Sequence, residues 1–263
     1  MRKNLFLAYI RDLLTNPSMY FSIIIVAGLL IFSCNWEISI ANWNSGIALF
    51  INHGFIKMVC YIVACFPLIG SFCDEYKNQY IRSIVTRLCV KKYTFSKYWA
   101  CFISAFLVLF IGIFLGMTVM GIVNGVPIKH PTEDSGSIIS FVELEQTGIP
   151  ILMFIVRLLI YSLFGAFYAC IGLTISVLIP NKFLTFTVPF VISFVLEEIG
   201  WYVKDLMPRC FNLFHLDAGE KIFLEQNVII NIVYSVAFSI FISYLVYIIF
   251  NKLVEKRVSC ELN

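Results

Sequence analysis

Apolar residues arrive along this chain in long runs separated by short polar stretches, and the runs are too long for buried strands or ordinary core helices. Six runs predict membrane-crossing helices at 18–36, 55–73, 98–124, 149–179, 183–197 and 227–250. The fourth is longer than the roughly 20 residues a bilayer requires and must tilt or protrude. The fifth reaches only about 22 Å at the helical rise per residue, short of the roughly 30 Å hydrocarbon thickness. Pro180-Asn181-Lys182 predicts a tight hairpin between these two. Trp36, Trp99 and Trp201 fall near run ends, where amphipathic rings settle at the headgroup level. Residues 1–17 have a different pattern. Polar or small Asn4, Ala8, Arg11, Asp12 and Thr15 oppose Leu5, Phe6, Tyr9, Ile10, Leu13 and Leu14 at helical spacing. That alternation predicts an amphipathic helix lying in the membrane interface, ended by Asn16-Pro17. With no internal repeat and no low-complexity linker, the expectation is one all-α, polytopic membrane domain.

Composition strengthens this reading. Hydrophobic residues make up 60% of the 263 and charged residues 13%, with a mean hydropathy of +0.89. An ordinary soluble domain carries about 25% charged residues, so too little charge is present to cover a water-facing surface. Placement of the cations gives a direction. If the N-terminus is inside, 13 of the 19 Lys and Arg fall on inner segments, four fall on outer loops, and Lys57 and Arg157 lie within spans. Eleven of the 16 acids fall on the outer side. The cation bias predicts cytoplasmic termini, in a multi-pass plasma-membrane protein with a cytoplasmic tail at 251–263. The nine cysteines lie mostly inside or at the ends of apolar runs and contain no C-x-x-C pair, which reads as packing rather than a disulfide framework. Ile31-Phe32-Ser33-Cys34 has the outline of a lipoprotein cleavage site, but Phe32 is too bulky, and the first run is expected to be a retained span.

The segment 74–97, between the second and third spans, is the most informative stretch. Ile81, Ile84, Val85 and Leu88 form an apolar stripe at helical spacing, opposite a polar stripe of Asn78, Arg82 and Thr86. Asp74 and Glu75 open it, and Lys91-Lys92 follow it, as the helix dipole favours. A short amphipathic helix on the cytoplasmic surface follows, fit either to bind anionic lipid or to dock a partner. Together with the N-terminal helix and six spans, the pattern acidic-x-aromatic at Asp74-Glu75-Tyr76 and Tyr-x-x-Ser-Lys at 93–97 resembles type-2 ABC exporter permeases. That family often carries Gly-Thr where this chain has Asn78-Gln79. The resemblance implies that 74–97 is the coupling loop contacting an ATP-binding subunit, through Asp74, Glu75, Gln79, Arg82, Ile84, Thr86, Arg87, Lys91, Tyr93 and Lys97. It also implies a second permease copy or paralogue, in a homodimer or heterodimer. No G-x-x-x-x-G-K-[ST] phosphate loop occurs in the chain. The expectation is therefore a non-enzymatic subunit without a cofactor of its own, with ATP and Mg bound by the partner, and no nucleic acid. Export of drugs, peptides, lipids or glycans is what the resemblance implies as function.

Candidate pathway residues are charges inside or beside spans. Lys57, near the outer end of the second run, is expected to snorkel to the headgroups. Arg157 lies about 12 Å along the fourth run, where a charge must face protein or water unless that span begins outside the hydrocarbon. Glu197 and Glu198 close the short fifth run and are expected either below the outer surface, hydrated or paired, or as plain outer-loop acids. The resemblance further implies re-entrant helical segments in 198–226, where Gly200, Pro208 and Gly219 provide breaks. A paired-glutamate intramembrane protease is disfavoured, because Tyr202 stands where that motif requires Arg and no H-E-x-x-H occurs. A secondary transporter, and a non-transporting membrane interaction or immunity protein, are the alternatives.

Overall fold

A computed structural model describes residues 5–36, 43–52, 54–80, 89–125, 150–203, 211 and 227–262. These form helices and the turns joining them, with no strand among the described residues. In chain order the helices are α1 (Leu5–Thr15), α2 (Pro17–Trp36), α3 (Trp43–Asn52), α4 (Gly54–Cys65), α5 (Ser71–Lys77), α6 (Val90–Val123), α7 (Pro150–Leu178), α8 (Lys182–Tyr202) and α9 (Val228–Leu262). Five of them, α2, α6, α7, α8 and α9, are long and apolar enough to cross a membrane, as in a multi-pass membrane protein.

Two expected spans begin where a proline or a capping residue opens the helix. Pro17 opens α2 at its first position, where the missing N–H costs nothing. Asn181 caps α8 by accepting a hydrogen bond from the Phe183 N–H. Elsewhere the structure departs from the hydropathy boundaries. The 55–73 run is not one helix but α4 and α5, separated by turns over 66–70 that begin at Phe66-Pro67. An additional helix, α3, precedes it. The fifth span is not short: α8 continues from Lys182 through Glu197 and Glu198 to Tyr202, 21 residues. The third begins at Val90 rather than 98, and the sixth continues to Leu262, so residues 251–262 of the expected tail are helical.

The buried centre is α7. In its apolar stretch 72% of residues are buried, against 22% in α8 and 17% in α9, so those two helices present most of their surface outward. Contacts with α7 advance in step along α3, α4 and the turn that follows. Trp43 meets Phe154 edge-on at 5.3 Å, Phe50 meets Tyr161 at 5.7 Å, and Tyr61 packs on Tyr161 and Tyr168. Ile69 lies where a Cβ on Gly172 would be. Helices α3 and α4 thus follow one another down the side of α7.

Close approach elsewhere rests on small residues. Gly112 and Gly116, a G-x-x-x-G pair on α6, face α2, where a Cβ on Gly112 would lie 2.8 Å from the Val26 Cβ and one on Gly116 3.1 Å from the Ala27 carbonyl. Helix α9 packs inward with Asn231, Ser235, Ser239 and Ser243, each no more than 1% exposed, while Ile229, Val233, Ile240 and Phe241 point outward. A polar face inside and an apolar face outside inverts the pattern of a water-soluble helix, and it suits a lipid solvent. The serine hydroxyls are satisfied within the helix, as in Ser243 donating to the Ser239 carbonyl at 2.8 Å. Tyr98 of α6 donates to the Ser243 carbonyl at 2.5 Å.

One end of the bundle gathers Arg11, Lys91, Lys92, Lys182, Lys256 and Arg257 and is called the basic end below. Glu197 and Glu198 mark the opposite end.

Candidate functional site

At the basic end, Glu75 is the meeting point of three helices. Helix α5 places it, and the structure shows how α5 ends. The Asn78 N–H donates to the Asp74 carbonyl at 3.0 Å and the Gln79 N–H to the Tyr76 carbonyl at 3.1 Å. Gln79 takes a left-handed backbone conformation (φ 56°), as a residue just past a helix end commonly does. The first two turns of α6 contribute Tyr93 and Lys97, four residues apart and so on one face. Helix α1 contributes Tyr9.

The geometry is a carboxylate with three donors. Lys97 Nζ lies 2.5 Å from Glu75 Oε1, which also accepts from the Tyr9 hydroxyl at 3.4 Å, and the Tyr93 hydroxyl donates to Oε2 at 2.5 Å. The Lys97 side chain is 3% exposed and that of Glu75 18%. The ammonium also lies 5.3 Å from the centre of the Tyr9 ring and 5.9 Å from that of Tyr93, within cation–π range of both. Burial, followed by the neighbouring Glu75 carboxylate, pushes the Tyr9 hydroxyl above the usual phenol range and keeps it a donor at neutral pH.

Around this centre, further contacts tie the basic end together. Asp74 pairs with Lys182 at the start of α8 at 2.6 Å, with both side chains about half exposed. The Arg257 guanidinium of α9 stacks 4.3 Å from the centre of the Tyr76 ring and donates to the carbonyls of Val177 and Leu178. It thereby satisfies carbonyls left without intrahelical donors at the end of α7. Thr94 donates to Asn251 at 2.6 Å, joining α6 to α9.

Of the residues proposed from sequence, Glu75, Tyr93 and Lys97 are brought together, and Asp74 adjoins them. Gln79 forms the turn, and Lys91 is exposed on the first turn of α6. Arg82, Ile84, Thr86 and Arg87, with the apolar stripe of 81–88, lie outside the described residues. So does most of 198–226. Arg157 is buried in α7 at 5% exposed, turned to protein. Lys57 does not snorkel: it is 2% exposed, and its ammonium lies 3.2 Å from Glu197 across the α4–α8 contact. Glu198, one residue on, is exposed. Sequence reading missed Tyr9, which it assigned to the apolar side of the first helix, and the partners Lys182 and Arg257. It could have joined Lys57 to Glu197, since opposite charges in neighbouring apolar runs are expected to pair. Among the described residues no group of three or more His, Cys, Asp or Glu is placed to hold a metal ion.

No protein-family model matches the chain, and neither a curated protein nor a solved structure matches it.

Proposed function

We propose that the chain is the membrane-spanning subunit of an ABC exporter, driven by a separate ATP-binding subunit that carries ATP and Mg. The observation that carries this reading is the Glu75 centre. It clamps α1, α5 and the start of α6 at the two ends of segment 81–88. A push on that segment would therefore reach three helices at once, as coupling requires. On this reading the basic end and both termini are cytoplasmic, α1 lies in the interface, and α3 with α4 forms the sixth, broken crossing. A second copy or a paralogue completes the pathway in the plasma membrane, and the cargo is a drug, peptide, lipid or glycan. The Lys57–Glu197 pair, an ion pair among apolar helices, favours a secondary transporter as the second reading.

The deciding experiment is affinity purification of the tagged chain from native membranes in mild detergent. An ATPase should co-purify, and Ile84→Asp should lose it while inserting normally. Arg82→Lys should weaken coupling, because directed guanidinium hydrogen bonds are not reproduced by an ammonium, whereas lipid attraction depends only on charge. Purification without any ATPase, or unchanged association in both variants, overturns the proposal.

A further inference from the structure

At the end of the bundle opposite the Glu75 centre, α4 and α8 part to form a cavity of about 450 Å³. That volume falls within the roughly 300–1,000 Å³ typical of sites for drug-sized ligands. Its walls are rings: Phe55, Phe190, Phe194, Trp201 and Tyr202. Phe55 and Phe190 meet edge to face at 6.4 Å and 83°, and Trp201 and Tyr202 at 6.2 Å and 85°. Perpendicular pairs turn ring faces, the negative side of the quadrupole, in more than one direction. Aromatic belts explain Trp and Tyr at a helix end. Neither belts nor lipid-facing phenylalanines account for two carboxylates set among the rings.

Those carboxylates are Glu197 and Glu198, both lining the cavity. Glu197 is matched by Lys57 at 3.2 Å, so among the described residues of the lining the formal charge left is the single negative charge of Glu198. A bare metal ion would need several oxygen ligands at short range, which ring walls do not supply. An anion meets negative charge, and a neutral apolar molecule leaves the carboxylate without use. We infer that this cavity binds a hydrophobic monovalent organic cation, its charge held between ring faces and the Glu198 carboxylate. A role for such cations in export rests on the permease proposal, whereas their binding does not.

Binding is tested on the purified chain alone in nanodiscs of zwitterionic lipid, with empty nanodiscs as the reference for partitioning. The probes are tetraphenylphosphonium, its isosteric anion tetraphenylborate, and neutral triphenylphosphine oxide. Tetraphenylphosphonium should bind saturably above the empty-disc level and quench Trp201 fluorescence, a change lost in Trp201→Phe. The anion and the neutral compound should show no saturable component. Glu198→Gln, at an exposed position, should weaken binding of the cation roughly fivefold or more, as should Trp201→Ala, in line with the strength of single cation–π and carboxylate contacts. Glu198→Asp, which keeps the charge, should bind more tightly than Glu198→Gln. The cation binding no better than empty discs, equal binding of cation and anion, or unchanged affinity in Glu198→Gln would overturn the inference. None of these results bears on ATPase co-purification, so the two proposals fail separately.

Discussion

Glu75 accepts from three donors on two other helices, and only one of those donors carries a charge. Removing the carboxylate takes the hydrogen-bonded counter-charge from the Lys97 ammonium, which is almost fully buried beside the Tyr9 and Tyr93 rings. Breaking one half of a buried pair costs about 3–5 kcal/mol, whereas replacing both halves by apolar groups of similar volume is far less damaging. Glu75→Ala should therefore lower thermal stability of the purified protein sharply, and Glu75→Leu with Lys97→Met should recover much of the loss. Additive losses in that double-mutant cycle would mean that the two side chains are not coupled. Because Glu75 is engaged within this chain, its variants report on the frame of the site, which is why the docking test uses Ile84 and Arg82 instead.

At the scale of elements, hydropathy located helices better than it located their ends. Helices α2 and α7 match the apolar runs 18–36 and 149–179 to within a residue, because Pro17 and Pro150 open the helices where those runs begin. Helix α6 starts at Val90 because Lys91, Lys92 and Lys97 are good helix formers; charge marks where lipid ends, not where backbone hydrogen bonding ends. The same holds for α8, whose Glu197 was read as a terminus, yet its charge is matched by Lys57 and the helix continues. Pro67 was the visible signal for the break in the second run. The Glu75–Lys97 contact joins positions 22 apart in the chain, a separation that periodicity cannot bridge. The G-x-x-x-G pair could have been read as a packing face. It makes two glycines distinguishable by experiment. Gly116→Leu should push side-chain atoms into the α2 backbone and cost about 1–3 kcal/mol by overpacking. Gly28→Ala, where a Cβ meets nothing within 4 Å, should leave stability unchanged or slightly raised. Thermal unfolding of both in one detergent checks the contrast; equal losses would contradict the α2–α6 packing.

For the whole molecule, orientation is the property on which the proposed function depends. A cysteine placed at Ser135 should react with an impermeant thiol reagent on intact cells, and one at Ser83 should not, in a background freed of reactive native thiols. Labelling at Ser83 from outside would remove the basis for a cytoplasmic docking segment. Within the bundle, α4–α5 and α8 run antiparallel and are joined by an ion pair at each end, Lys57 to Glu197 and Asp74 to Lys182. The signs are reversed between the two, so neither element can slide along the other without bringing a cation away from its only matched register. The two fastenings are unequal. In the first the lysine is buried and the glutamate about a fifth exposed, while the second is about half exposed on both sides, where such pairs contribute roughly 0–1 kcal/mol. The register of α4–α5 on α8 is therefore keyed like a two-pin plug: the seating is fixed by the order of the charges, and the pin at the Lys182 end is the one that water and salt loosen first.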